Sequence, residues 1–505
     1  MYFCRDFLWR KGTIRAENKR MERNTALDQT AFNRLLSRVE KPARYIGGEW
    51  NSIVKPEAET RFALLFPDVY EIGMSHLGSR ILYHALNSVE GVACERAFAP
   101  WPDMEQVLRE EHIPLFSLET KRPLKEFDIV GFALLYEMCY TNILQMLDLS
   151  GIPLLAKDRG ENDPLIICGG PCACNPTPVA AFMDAVLIGD GEEMTPEVTR
   201  AVQNAKRTGK SKAELLKELS TMRGVYVPSL KTDETCVVRR IIKDLDAAAF
   251  TGEPIVPYLG IVHDRVALEV MRGCTRGCRF CQAGYIYRPI RERKSETLME
   301  LARQQIGCTG YDEVSLLSLS TGDYSEVHKL VPEIIREMEE GKVSVSLPSL
   351  RVDSELASDF KVMQTVRKAG LTFAPEAGTQ RLRDVINKNV TEEDILRATQ
   401  DAFSAGWSSV KLYFMIGLPT ETDEDILGIA QLARKVSWQF YQLPKEKRGK
   451  GLRLNVSVST FVPKPFTAFQ WYGQIPAEEI KRKQELLRNA LKGVRGAELN
   501  CHFSL

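Results

Sequence analysis

The sequence lacks an excess of charge of either sign. Its 67 basic and 67 acidic side chains cancel, which excludes a strongly basic nucleic-acid clamp and an acidic tail protein while leaving local patches open. It also lacks a long apolar run. The longest uncharged stretch, PLIICGGPCACNPTPVAAFM, holds four prolines and two glycines and cannot form an ordinary membrane helix. The opening MYFCRDFLWRKGTIRAENKR is broken by charges and contains no secretory signal core. These absences predict a cytoplasmic protein with no membrane partner. Nor are the cysteines spaced as a disulfide framework. There are 12 in 505 residues, and two clusters, at 168–174 and 274–281, point to metal or redox chemistry in a reducing compartment.

What is present is an ordinary globular composition, 44% hydrophobic and 27% charged. The length suggests about two to four domains, large enough to build cores without disulfides. From Arg61 short apolar runs (RFALLFP, FDIVGFALLY, PLIICGGP, DAVLIGD) alternate with amphipathic segments such as GMSHLGSRILYHALNSV and CYTNILQMLDLSG. That texture predicts βαβ units around a parallel sheet. From His263 a second series begins, with RVALEVMRGC, DEVSLLSLST, VSVSLPSL, LTFAPEAGT, SSVKLYFMIGLP and LRLNVSVSTFVPKP separated by helical segments. The expected fold class is α/β: an N-terminal extension over 1–59, a Rossmann-like parallel-sheet domain over 60–205, a connector over 206–262, a partial (β/α)6 TIM-like barrel over 263–490 and a tail over 491–505. Chemistry in such a barrel sits at the C-terminal strand ends.

MRGCTRGCRFCQAG places Cys274, Cys278 and Cys281 in the spacing C-x3-C-x2-C directly after the first of these strands. Three thiolates on one short loop can take three corners of an iron-sulfur cubane and leave the fourth iron open. Gly273 and Gly277 permit close backbone approach, and Arg276 and Arg279 bring positive charge beside the thiolates. The competing use is a structural zinc knuckle, although zinc sites favour paired C-x2-C halves.

The triplet and its setting resemble the radical S-adenosylmethionine superfamily. The resemblance implies a [4Fe-4S] cluster on Cys274, Cys278 and Cys281, with S-adenosylmethionine chelated at the open iron and reductively cleaved to a 5'-deoxyadenosyl radical. It implies cofactor contacts at Phe280 in the same loop; at Ser320, Thr321, Gly322 and Asp323 after the second strand, where the amino group is received; and at Ser349 and Arg351 after the third. Glu376 after the fourth strand would face the ribose, and Gly417 after the fifth would lie near the adenine. VSTFVPKPFTAFQW resembles the closing segment of the methylthiotransferase branch, with Lys464 and Trp471 toward the substrate. An electron donor such as flavodoxin or ferredoxin is implied as a partner. The alternative on the same fold is a non-enzymatic iron-sulfur redox sensor or assembly factor.

The order of domains, together with KPARYIGGEWN and FPDVYEIGMSHLG, resembles a group of radical enzymes with an amino-terminal cobalamin-binding-like domain. The cobalamin pattern D-x-H-x-x-G falls on Asp68 to Gly73, with Tyr70 where the cobalt-ligating histidine would stand, and the later S-x-L pattern falls on Ala133-Leu134-Leu135. A phenol with a pKa of about 10 is a poor neutral ligand. Cobalamin is therefore an open question, with a degenerate domain as the competing view, and His76 is read as a packing or capping residue. Cys168, Cys172 and Cys174 fit no common metal spacing and are read as buried thiols. The basic loop PKEKRGKGLRL over 444–454 is the compact hint of an RNA partner.

Overall fold

The computed structural model describes residues 29–347, 371–448 and 451–501, and the chain divides into two compact units. The first runs to Ile241 and takes in Ala249–Thr251 and Ile255–Val262; the second comprises Ile242–Ala248, Gly252–Pro254 and the chain from His263.

The first unit is a sheet between two helical layers. Its strands are β1 (Thr60–Phe66), β2 (Val92–Phe98), β3 (Ile129–Ala133), β4 (Leu165–Gly169), β5 (Ala185–Leu187) and β6 (Val225–Tyr226). They lie in the order β2-β1-β3-β4-β5-β6, parallel except for β6 against β5. Alternate residues of a strand face opposite sides, and β1 shows the consequence. Ala63 and Leu65 enter one core with α1 (Gln29–Leu36), while Phe62 and Leu64 enter the other with α2 (Leu77–Asn87). Helices α3 (Pro102–Glu110) and α4 (Tyr140–Leu149) cover the α1 face. Helices α5 (Gly191–Thr208) and α6 (Lys212–Leu219) cover the α2 face.

Two boundaries differ from the sequence expectation. The stretch expected as an extension supplies α1, whose Phe32 and Leu35 are buried in the core. The stretch expected as a connector supplies α6 and β6 to the same unit. Strand β2 was hidden by its own charges. Glu95 and Arg96 are 2% and 5% exposed, and each is held by partners. Glu95 meets Arg61 at 3.0 Å and the Ser117 hydroxyl at 2.7 Å; Arg96 is forked between Glu49 at 2.8 Å and Glu119 at 2.7 Å. Buried charge is tolerated only when paired in this way.

The second unit carries β7 (Val266–Glu269), a short antiparallel pair of β8 (Met271–Arg272) and β9 (Arg291–Glu292), then β10 (Glu313–Leu317), β11 (Ser344–Ser346), β12 (Leu371–Glu376), β13 (Ser409–Ile416), β14 (Arg453–Thr460) and β15 (Ala497–Cys501). Two parallel sheets result, β11-β10-β7 and β12-β13-β14-β15. The intervening helices are α7 (Ser295–Thr309), α8 (Val327–Glu340), α9 (Gln380–Val385), α10 (Glu392–Ser404), α11 (Asp423–Gln442) and α12 (Ala477–Leu491). Capping boxes at Thr391 and Thr422 fix the starts of α10 and α11. All six expected strands form. The expected tail supplies a seventh, β15, paired to β14 from Leu454↔Ala497 to Val458↔Cys501. Among the described residues no helix is long and apolar enough to cross a membrane.

His76 caps α2, its Nδ1 accepting the Ser79 N–H at 3.1 Å. Burial, with the Arg80 guanidinium nearby, lowers its pKa from 6.5 to about 4. The unfolded chain therefore binds the proton more tightly, and the stability held by the neutral ring is lost as pH falls from about 6.5 toward 4. Urea denaturation at pH 7 and pH 5 should show a stability loss larger in the wild type than in His76→Asn by about 2 kcal/mol. Equal losses in the two proteins would contradict this.

Candidate functional site

The cysteine loop follows β7 and β8 at the C-terminal end of the first barrel strand. Its bends require glycine. Gly273 has φ 102°, and a Cβ there would come within 2.9 Å of the Tyr287 carbonyl oxygen. The loop is then tied down from outside. Asn387 Nδ2 donates to the Gly277 carbonyl at 2.8 Å, and the Arg279 N–H donates to the Ile386 carbonyl at 3.0 Å. The Arg276 guanidinium forks onto Asp323, Nε to Oδ2 at 2.9 Å. Phe280 packs into an apolar cluster with Ala377, Leu382, Leu418, Phe461 and Phe469, so the loop is pinned to the ends of β12, β13 and β14. Within this frame Cys278 is 9% exposed, and Cys274 and Cys281 are half-buried.

The two metal readings ask different things of the donor set. A single zinc ion with bonds of about 2.3 Å to sulfur draws its ligand atoms together around one point. A cubane asks something different, because each thiolate takes its own iron. The clamped loop offers three cysteines as donors for either use.

Other expected residues stand at the strand ends around this loop. Asp323 belongs to the turn Thr321–Asp323 after β10, where it accepts from the Ser320 hydroxyl at 2.8 Å and from Thr275 at 3.3 Å as well as from Arg276. Ser320 and Thr321 are buried, and the Thr321 hydroxyl lies 2.8 Å from that of Ser318; Gly322 sits in the turn between Thr321 and Asp323. In this arrangement Asp323 holds the cysteine loop. Glu376 ends β12 with a left-handed backbone, φ 69°, after a register break from Phe373, and meets Lys388 at 3.1 Å. Gly417, φ 82°, donates its N–H to Glu421 at 2.9 Å, and Glu421 is paired with Lys483 at 2.6 Å. Burial raises the Glu421 carboxyl above its usual range, opposed by Lys483 and the Gly417 N–H. Trp471 is 88% exposed. Ser349 and Arg351 lie outside the described residues. Sequence reasoning missed Asn387, Lys388 and Lys483, for which the only signals were polar residues just after α9 and within α12.

In the first unit, the order β2-β1-β3-β4-β5 puts a topological switch point between β1 and β3, where open α/β sheets bind ligands at the C-terminal strand ends. Asp68 stands there, its carboxylate accepting from the Tyr136 hydroxyl. Tyr70 does not. It is 1% exposed and donates its hydroxyl to Glu49 at 2.9 Å, and burial first and the Glu49 charge second raise its pKa. The strand order fits a corrinoid-binding sheet, but Tyr70 and the capping residue His76 are both committed to protein partners and offer no axial ligand. Gly170 has a packing reason: with φ 114°, a Cβ would meet the Leu134 carbonyl oxygen at 2.7 Å. Burial raises the thiol of Cys168, and that of Cys174 to about 11. Cys168 and Cys172 are buried, 1% and 7% exposed.

If Asp323 clamps the loop, Asp323→Asn should speed amide hydrogen exchange across residues 273–281 roughly tenfold or more while β12 to β14 are unaffected. Unchanged exchange in the loop would remove the clamp.

Residues 78–228 match the family described as radical SAM proteins, N-terminal, and residues 268–433 match the radical SAM superfamily. An uncharacterised protein of Methanocaldococcus jannaschii is 32% identical over 448 residues, which span 86% of this chain and 84% of that protein. A tRNA-2-methylthio-N(6)-dimethylallyladenosine synthase of Thermotoga petrophila is 23% identical over 45% of this chain and 50% of its own. This chain thus spans about half the length of the methylthiotransferases it matches. Among solved structures, the radical S-adenosylmethionine methyltransferase TsrM of Kitasatospora setae with cobalamin and a [4Fe-4S] cluster bound has a TM-score of 0.55 over 81% of this chain and 74% of that one. The cobalamin-dependent radical enzyme OxsB with aqua-cobalamin bound has a TM-score of 0.54 over 86% and 57%. Both are 12% identical, a likeness of fold. Taken with the clamped cysteine loop, these matches establish that the chain is an enzyme of the radical SAM superfamily, with a Rossmann-like unit preceding its radical SAM domain.

Proposed function

We propose that the protein binds a [4Fe-4S] cluster through Cys274, Cys278 and Cys281, holds S-adenosylmethionine at the fourth iron and uses it to abstract hydrogen from a substrate in the barrel. The observation that carries this reading is the cysteine loop itself, fixed from three strand ends around a donor set with one ligand too few for a cubane. When bound and reduced by a donor such as flavodoxin or ferredoxin, the cluster supplies the electron that cleaves S-adenosylmethionine to methionine and a 5'-deoxyadenosyl radical.

The protein's own residues then bind, orient and exclude water. Phe280 and its apolar neighbours keep solvent from one side of the loop. Glu376 presents a carboxylate at the end of β12, with its charge balanced by Lys388, suited to accepting hydrogen bonds from ribose hydroxyls. Gly417 is buried beneath the Ile475 side chain, its N–H held by Glu421, which pairs with Lys483. Burial and balanced charge leave these groups preorganised before any ligand arrives.

Methyl transfer and RNA modification are the outcomes carried by the similar proteins. The radical SAM matches support the first; cobalamin stays an open question, since Tyr70 is committed to Glu49 and a bound corrinoid would take no ligand from that position. For RNA the basic loop is the candidate contact. In it, the Arg448 guanidinium donates to the Leu443 carbonyl and lies 5.8 Å from the Tyr441 ring centroid.

Anaerobic reconstitution, dithionite and S-adenosylmethionine should yield 5'-deoxyadenosine. Cys278→Ala should lower the yield by at least about a hundredfold, whereas Cys168→Ala should leave it within about twofold. An intact cluster with no 5'-deoxyadenosine would refute the proposal.

A further inference from the structure

Parallel strands covered on both faces read as near-continuous apolar runs. Strand β13 does not. In SVKLYFMI, Val410, Leu412, Phe414 and Ile416 are at most 1% exposed, in the core formed with α10, α11 and α12. Lys411, Tyr413 and Met415 take the opposite, barrel-interior face. Strand β14 repeats the pattern, with Leu454, Val456 and Val458 toward the helices and Asn455 and Ser457 on the interior face. Register puts Lys411 beside Asn455 and Tyr413 beside Ser457, so the polar residues form adjacent rows rather than scattered points.

Three of these groups have unmet bonding capacity. The Lys411 ammonium lies 4.5 Å from the Tyr413 ring centroid and has no hydrogen-bond or ion-pair partner among the described residues. Glu498, on β15, is two strands from it in register, about 10 Å away by strand spacing. The Tyr413 hydroxyl has no partner among the described residues. The Asn455 Oδ1 atom is buried with no hydrogen bond, a condition that is costly if nothing occupies it. Because Lys411 leans along its strand toward Tyr413, its charge sits about 7 Å, one row of residues, below Met415 at the strand's C-terminal end.

We infer that this face binds the substrate through an anionic oxygen group held by Lys411 and a neighbouring O–H or N–H donated to Asn455. The inference rests on the barrel being the substrate chamber proposed above, and it adds the chemical class. A cation, an aromatic hydroxyl and a lone acceptor in adjacent positions complement a phosphate or carboxylate that carries a hydrogen-bond donor close by. They do not complement an apolar substrate, which would leave all three unpaired.

Full-length protein carrying its cluster is reductively methylated with 13C-formaldehyde, which retains the lysine charge. The Lys411 signal is assigned by its absence in Lys411→Arg or Lys411→Gln, whichever folds. Inorganic phosphate and malate carry both an anion and a donor; sulfate and succinate are their counterparts without the hydroxyl. The expected result is a saturable shift of the Lys411 signal with phosphate or malate, at an affinity at least roughly tenfold above the matching counterpart. Which of the two succeeds identifies phosphate or carboxylate. Asn455→Leu should erase the preference. No saturable shift, a response shared by the exposed Lys435, or equal affinity within each pair would overturn the inference. The 5'-deoxyadenosine yield of the same sample separates the two readings. A shift without cleavage refutes the radical proposal alone, and cleavage without a shift refutes this inference alone.

Discussion

A cubane held by only three thiolates needs a rigid loop, because no fourth protein ligand fixes its position. Nine residues from Gly273 to Cys281 cannot be rigid by themselves. They contain two glycines and no regular element, and local order must come from elsewhere in the unit. It comes from the strand ends. Asp323 after β10 grips Arg276, Asn387 after α9 grips the Gly277 carbonyl, and Phe280 fills an apolar socket built by β12, β13 and β14. The same strand ends carry Glu376 and Gly417, the positions proposed for the cosubstrate.

The first unit presents a retained fold with altered chemistry. Its sheet order puts the switch point between β1 and β3, yet Tyr70, at the position where the resemblance implies a ligating histidine, is turned into the core. The swap is coupled to a buried network. Tyr70 donates to Glu49, and Glu49 is ion-paired with Arg96, itself paired with Glu119. Removing Arg96 would leave the buried Glu49 and Glu119 carboxylates uncompensated, at a cost of about 3–5 kcal/mol, and removing Tyr70 would take away a hydrogen bond that Glu49 accepts. The tyrosine is thus part of what folds the unit, and a corrinoid in this crevice would lack a protein ligand from that position.

Much of this architecture was legible in the sequence because hydrophobic periodicity is local. The six barrel strands and the helices between them follow from it, as do the triplet and its place after β7. Strand β2 was not legible: Glu95 and Arg96 read as solvent-facing until Arg61, Glu49 and Glu119 arrive from distant positions to pair them. Strand β15 was missed because AELNC is short and half polar. The bond from Arg276 to Asp323 was equally hidden, because it depends on a separation of 47 residues that no spacing rule contains. The interior polarity of β13 was written openly in its alternation, but its meaning required knowing that both neighbours are parallel strands.

The central claim is that the clamped loop leaves one iron open to S-adenosylmethionine. Electron paramagnetic resonance of the reduced cluster, recorded with and without the cosubstrate in anaerobic full-length protein, tests it most directly. A vacant iron predicts that S-adenosylmethionine changes the g-values of the cluster signal; identical spectra at saturating cosubstrate would contradict the account.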